Sequence, residues 1–333
     1  MKNYSVLSVP TPFPVGPTNV YLFHAEPITL IDCGPYSVEA KVALQKQLNG
    51  LGLSLERVQR ILITHAHPDH FGLAAELQRI SGAPIYMHNK EVIKAQDRYQ
   101  HLQRIASYLA YAGMPSEMVG RILEYFKWET QFVQAPEKII GVGEEHTFSF
   151  DEFELEGFVT PGHAAGHMCF FQKEKGLLFA GDTILGEITP NPVLEPVPEQ
   201  PLLREKSLQQ YINSLKRLRE LRISRILPGH GEPVLHVKEE FQRMNRHHLK
   251  RKQNTCKILG SYKEFTPFHL TVELYQMLKR PVDFYLAMSE TLGYLDILEA
   301  EGKVKVLPKT SGLVYAWQTE ACLDAEAIET VGT

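Results

Sequence analysis

Short runs of β-branched and aromatic residues, each cut off by proline or glycine, open the chain. Tyr4 to Val9, Asn19 to Phe23 and Ile28 to Ile31 have this form and read as strands of a meander. Val38 to Leu48 changes to helical spacing, with Val42, Leu44 and Leu48 among its apolar positions. Val58 to Thr64 reads as a buried strand, Phe71 to Ile80 as a helix and Pro84 to Met87 as a strand. Residues 90–130 are helical, strand-free and rich in aromatics (Tyr99, Tyr108, Tyr111, Tyr125, Phe126, Trp128). They read as a helical insertion over one face, a scaffold more than a substrate lid. Strand patterns return over His146 to Phe150, Phe153 to Val159, His167 to Gln172 and Leu177 to Ala180. A proline-rich loop follows from Pro190 to Pro201. Lys206 to Leu221 then puts Leu208, Tyr211, Ile212, Leu215 and Leu218 on one helical face, and Ser224 to Leu227 is a last short strand. Strands with helices outside them predict a layered α/β sandwich.

Beyond residue 235 the pattern is different. Val237 to Leu259 is a long polar helix, Phe268 to Lys279 and Asp283 to Glu299 are further helices, and Lys303 to Leu307 with Leu313 to Trp317 form a hairpin around Pro308 to Gly312. Helix, helix, helix, hairpin resembles a winged-helix module. The expected division is a catalytic domain over 1–235, a linking basic helix over 236–260, a winged-helix-like domain over 261–318 and a tail over 319–333.

Composition narrows the class. With 333 residues, 44% hydrophobic and 22% charged, the chain can bury a full core and is long enough for a large domain plus a smaller one. No apolar run reaches membrane-spanning length, and the proline-broken N-terminus does not read as a secretory signal. A net charge of -4 argues against a nucleic-acid-coating protein. Cys33, Cys169, Cys256 and Cys322 form no close pair, so the chain reads as reduced and cytoplasmic.

The 14 histidines carry the chemistry. Three times an apolar strand runs into a turn and delivers one: ILITH ends at His65, FVTPGH at His163 and RILPGH at His230. LLFAGD delivers Asp182 in the same way. Gly162, Gly181 and Gly229 permit the tight turns. Strand ends can cluster at one sheet edge, so these four groups could converge. The densest stretch, Thr64-His65-Ala66-His67-Pro68-Asp69-His70, crowds imidazoles and a carboxylate together, which is costly unless a cation lies between them. Neutral imidazole and carboxylate suit zinc best, with iron or manganese close behind.

With these residues in place the chain resembles the metallo-β-lactamase superfamily. THAHPDH at 64–70, TPGHAAGH at 160–167, GDT at 181–183 and PGHG at 228–231 occur in the family's order. The resemblance implies a four-layer αββα sandwich with two divalent metal ions at one sheet edge. His65, His67 and His163 would bind the first ion. Asp69, His70 and His230 would bind the second, and Asp182 would bridge both. Asp32, in LIDCG, matches an acidic position behind the ligands, and His167 matches the last histidine of the family's GHxxGH string. A water between two cations is acidified to a hydroxide nucleophile near neutrality. Asp69 can orient it, and Asp69, a metal-bound water or His167 can protonate the leaving group. Asp69 and His167 are thus the catalytic candidates.

The absence of a cysteine ligand beside Asp69-His70 separates the chain from the commonest secreted zinc β-lactamases. GDTILGE and the C-terminal module resemble most the group of β-lactamase-like protein 2, with glyoxalase II-like thioesterases next. The expected substrate is a small-molecule thioester or other acyl ester, or single-stranded RNA; a homodimer is compatible. The other class considered is a metal-dependent nucleic-acid-binding or regulatory protein without turnover. Its motive is a basic stripe between Phe241 and Lys263, where Arg243, Arg246, Lys250, Arg251, Lys252, Lys257 and Lys263 stand with no acidic residue. The segment in recognition-helix position, SETLGYLDILEAEG, is acidic and opposes insertion into a major groove.

Overall fold

The computed structural model describes residues 3–198, 200, 202–307, 309 and 312–318. The tail expected over 319–333 and three hairpin-turn residues, Pro308, Thr310 and Ser311, lie outside these. A six-stranded sheet holds β1 (Tyr4–Val9), β2 (Thr18–Phe23), β3 (Thr29–Ile31), β4 (Arg60–Leu62), β5 (Ile85–His88) and β6 (Ile139–Val142) in that order. β1 to β3 form the expected antiparallel meander, and β3 to β6 run parallel. A five-stranded sheet holds β7 (Glu145–Ser149), β8 (Glu154–Val159), β9 (Met168–Gln172), β10 (Leu177–Gly181) and β11 (Arg225–Pro228), with β10 and β11 parallel.

The period-two alternation of the strands divides their side chains between two cores. Tyr21, Phe23 and Ile31 face Phe148, Phe170 and Phe179 of the second sheet, where Tyr21 and Phe179 meet edge to face at 5.0 Å. Val20, Leu22, Leu30 and Ile61 turn to the other side. There α1 (Val38–Gly50), capped by Ser37, covers them with Ala40, Leu44 and Leu48 at helical spacing.

Parallel strands need crossovers, and these supply most of the remaining helices of this part. The helix predicted over Phe71 to Ile80 is two pieces, α2 (Pro68–Phe71) and α3 (Ala74–Ser81). Gly72 stands where they divide, and a Cβ there would lie 2.2 Å from Phe132 O and 2.4 Å from Tyr36 N. The backbone of a neighbouring segment therefore passes through the space a side chain would need. The remaining helices are α4 (Asn89–Gln96), α5 (Arg98–Tyr111), α6 (Ser116–Thr130), α7 (Ser207–Arg219), α8 (Val237–Leu259), α9 (Pro267–Leu274) and α10 (Pro281–Ala300). In the C-terminal half of α7, the Ser214 hydroxyl donates to Pro161 O and Arg217 donates to Val159 O at the end of β8.

The chain divides into two compact units. One contains residues up to Arg98, Lys127–Pro190 and Ser214–Val237; the other contains Tyr99–Phe126, Asn191–Asn213 and everything from Lys238. In the second unit Leu102, Ile105, Leu109, Ile122 and Phe126 share a core with Leu259, Leu270, Leu292, Leu295 and Leu298. A three-stranded sheet of β12 (Glu264–Phe265), β13 (Val304–Leu307) and β14 (Val314–Trp317), in the order β12-β14-β13, belongs to this unit. Ser289 through Leu298 of α10 are buried all round, so most of the acidic segment is core helix and only its end, from Ala300 to Gly302, is exposed. Arg204 forks onto Asp296, with Nη1 to Oδ2 at 2.6 Å and Nη2 to Oδ1 at 2.7 Å, and both side chains are buried.

The basic stripe is partly engaged within the fold. Arg243 pairs with Glu240, Lys252 with Glu301, and Arg251 lies over the Tyr275 ring, leaving Arg246, Lys250 and Lys257 exposed on α8. Among the described residues Cys33 and Cys169 are buried free thiols. Among the described residues no helix is long and apolar enough to cross a membrane.

His248 of α8 faces inward, its Nδ1 3.0 Å from the Tyr294 hydroxyl. Burial, helped by His247 and Arg243 and opposed by Glu290, pushes its pKa down to about 4. Folded His248 is therefore neutral where the unfolded chain, near 6.5, takes up a proton. Its contribution is complete above about pH 6.5 and fades toward pH 4, a loss approaching about 3 kcal/mol. Urea unfolding of wild type and His248→Gln at pH 7.5 and pH 4.5 checks this. The variant should lose less stability on acidification, and equal losses would refute the assignment.

Candidate metal centre

The functional side chains sit just beyond the C-terminal ends of strands in the first compact unit, the usual position for sites in parallel α/β sheets. β3 ends one residue before Asp32, and the chain after β4 runs through Thr64 to His65, His67, Asp69 and His70. β8 leads to His163, β10 to Asp182 and β11 to His230. The chain must turn sharply to deliver Asp182. Gly181 does so at φ +47°, and a Cβ there would stand 2.7 Å from His167 Nε2.

Three groupings of donor atoms result, the atoms of each within 4.8 Å of one another: His65, His67 and His163; Asp69, His70 and His230; and His65, His70 and Asp182. In the first, His67 Nδ1 lies 2.8 Å from His65 Nε2 and 3.1 Å from His163 Nε2. In the second, His230 Nε2 lies 3.1 Å from His70 Nε2 and 3.3 Å from Asp69 Oδ2. Asp182 reaches both, with Oδ1 3.3 Å from His70 Nε2 and Oδ2 3.7 Å from His163 Nε2.

The far side of each ring fixes what the near side offers. His230 Nδ1 lies 2.9 Å from Pro17 O, which can only accept, so Nδ1 carries the proton and Nε2 presents a lone pair to the cluster. His70 Nδ1 donates to Asp32 Oδ2 at 2.8 Å with the same result. The Thr64 hydroxyl donates to Asp32 and can accept from His65 Nδ1 at 3.0 Å, freeing His65 Nε2. Carboxylates and carbonyls behind histidines are the arrangement that orients metal ligands. The N-terminal strands hold the second loop: Thr18 donates to Asp69 O, Asn19 Nδ2 to Pro228 O and Gly231 O, and Tyr21 to Pro228 O. None of these three stands out in the sequence, since Thr, Asn and Tyr are ordinary strand-edge residues.

The electrostatics demand a positive centre. Burial, reinforced by neighbouring imidazoles, pushes His65 well below the ordinary histidine range, and burial with Lys94 and His163 nearby does the same to His67. Burial opposes charge on His70 too, but Asp182, Asp32 and Asp69 overcome it and raise its pKa well above the usual value. Burial likewise works against His230, and Asp182 and Asp69 raise it. Burial favours a neutral Asp182, yet His70, His230 and His163 hold it well below the carboxylate range. Asp182 Oδ1 is buried without a hydrogen-bond partner. Clustered buried carboxylates cost several kcal/mol each unless cations answer them. An ion between lone pairs and an orphaned carboxylate oxygen meets that need, so the donor set fits divalent metal.

His167 is fully buried. Its Nε2 accepts from Asp182 N at 3.0 Å, and its Nδ1 lies 3.0 Å from the hydroxyls of Thr160 and Thr183. Both nitrogens are therefore committed to holding the Asp182 turn. Asp32 adopts φ +58°, a left-handed conformation uncommon outside glycine, asparagine and aspartate. Asp32→Asn should tolerate that backbone but lose the charge behind His70. We expect zinc affinity to fall about 10- to 100-fold, read by chelator competition; unchanged affinity would remove Asp32 from the centre.

Comparison with known proteins agrees with this geometry. The sequence profile described as the metallo-beta-lactamase superfamily matches residues 13–230. "Probable metallo-hydrolase YqjP" of Bacillus subtilis is 31% identical over 307 residues, covering 89% of this chain and 92% of that protein. "Beta-lactamase-like protein 2 homolog" of Caenorhabditis elegans is 26% identical, covering 80% and 73%. "Thioesterase pkgB" of Emericella nidulans is 26% identical, covering 73% and 54%. A crystal structure of a metallo-beta-lactamase family protein from Thermus thermophilus superposes with a TM-score of 0.81 at 27% identity, covering 96% of this chain and 99% of that one. Strand-end histidines around buried carboxylates and a family match over most of the first unit lead to one conclusion: the chain belongs to the metallo-beta-lactamase superfamily and is a metal-dependent hydrolase.

Proposed function

We propose that the protein hydrolyses acyl thioesters with two divalent ions, zinc being the best match to its nitrogen and oxygen donors. The observation that carries this is the shared membership of the groupings: two triads, with Asp182 within reach of both. His65, His67 and His163 would hold one ion, Asp69, His70 and His230 the other, and Asp182 both. Bound there, such ions polarise the scissile carbonyl and acidify water toward neutral pH.

The chain's own groups do the rest. Asp69 turns one oxygen to His230 Nε2 and with the other orients the attacking water. It then takes up the proton that water gives away. His167 fixes the peptide of Asp182 and takes the role of a positioning residue. A thiolate leaves readily, because free thiols ionise near pH 8–9, so one acid–base carboxylate suffices where an amide would need a strong acid as well. A relative named a thioesterase supports this substrate class.

Single-stranded RNA is the second reading, supported by Arg246, Lys250 and Lys257 exposed along α8. The order α8, β12, α9, α10, β13, β14 supports a winged-helix-like reading of this part, but one whose buried α10 cannot enter a groove. The deciding experiment is steady-state assay of the zinc-loaded protein on acyl thioesters of graded chain length and on an RNA oligonucleotide. Thioester turnover lost in His67→Ala is the expected result. RNA cleavage lost in the same variant, without thioester turnover, would transfer the assignment to the second reading.

A further inference from the structure

Glu91 of α4 is fully buried. Its Oε2 accepts from Ala66 N and its Oε1 from Gly166 N, each at 2.9 Å. Ala66 stands between His65 and His67, and Gly166 between His163 and His167. One carboxylate thus ties together the two loops that carry the all-histidine triad. Ala66 is gripped from its other end too, since Arg98 Nη1 donates to its carbonyl at 3.2 Å. The approach is close because residue 166 has no side chain: a Cβ there would lie 2.4 Å from His88 Nδ1 and 3.0 Å from Glu91 Cγ.

We infer that Glu91 is a positioning residue that sets the separation of His67 and His163 before any cation binds. The inference rests on the reading of His65, His67 and His163 as metal ligands. Both loops present N–H donors, so the link needs two acceptors on one side chain, which a carboxylate supplies. Glutamine keeps the shape but offers one acceptor and turns its NH₂ toward the other N–H. Aspartate is one methylene too short. Lys94 Nζ, 3.9 Å from Oε2, provides a nearby positive charge for the buried carboxylate.

The test is zinc binding to the metal-free full-length protein by chelator competition, for wild type, Glu91→Gln and a control, Glu76→Gln. Glu76 pairs with Lys41 and Arg79 away from the ligand loops. Glu91→Gln should weaken the tighter zinc equivalent about 10- to 100-fold and alter the visible spectrum of the cobalt-substituted protein. Glu76→Gln should do neither. Wild-type affinity and spectrum in Glu91→Gln would overturn the inference while leaving the metal reading intact. Failure of wild type to bind zinc would overturn both. Should Glu91→Gln not fold, amide hydrogen exchange in metal-free wild type decides: Ala66 and Gly166 both protected supports the clamp, and either exchanging at open-chain rates refutes it.

Discussion

Asp182→Ala should reduce kcat/KM for thioester hydrolysis by about 10³-fold or more and lower the bound metal per chain. Asp182 is the carboxylate within reach of both histidine groups. Without it, the imidazoles face one another with less negative charge to draw a cation between them. An electrophilic metal stabilises the transition state by several kcal/mol, and each 1.36 kcal/mol is tenfold in rate. Steady-state kinetics and metal analysis on the same preparation check the prediction. Full metal content with activity within tenfold of wild type would contradict the central place given to Asp182. Prolonged chelation should mimic the substitution in wild type and also lower its melting temperature, because an ion bound by the folded state stabilises that state.

Asp296→Ala should destabilise the protein by about 3–5 kcal/mol, because it strands a buried guanidinium. Arg204 gives both terminal nitrogens to Asp296 and its Nε to the Tyr108 hydroxyl at 3.0 Å. Burial alone disfavours the charge on Arg204, yet Asp296 raises its pKa well above even the arginine norm. The double variant Arg204→Met/Asp296→Leu should recover most of the loss, since apolar replacements leave no charge to desolvate. Urea denaturation of the single and double variants measures both effects. A double variant as unstable as the single would show that the guanidinium's other contacts, not the ion pair, dominate.

The convergence of His65, His163, Asp182 and His230 was legible because each follows an apolar strand through a short turn, a local pattern that topology then brings to one edge. The same locality made most strands readable. What escaped was set by distant partners. β6 has only Ile139–Val142 and is defined by parallel pairing with β5; β12 is two residues long, too short for alternation to register. Helix period could show that α8 is amphipathic but not that Arg251 and Lys252 each meet an acidic or aromatic neighbour, because Glu290, Glu301 and Tyr275 lie far along the chain. Glu91 was invisible for a similar reason. A glutamate near the start of a helix is ordinary, and its importance lies in two backbone N–H groups 25 and 75 residues away.

The second compact unit is stitched from three separated stretches of chain, and this bears on synthesis. As the nascent chain leaves the ribosome, Leu102, Ile105, Leu109, Ile122 and Phe126 emerge well over a hundred residues ahead of Leu270, Leu292, Leu295 and Leu298, with which they share a core. For that interval their apolar faces lack much of their final cover. Premature termination ahead of α9 would make the shortfall lasting, so such products should be sticky and prone to chaperone capture even though every metal-cluster residue is already present.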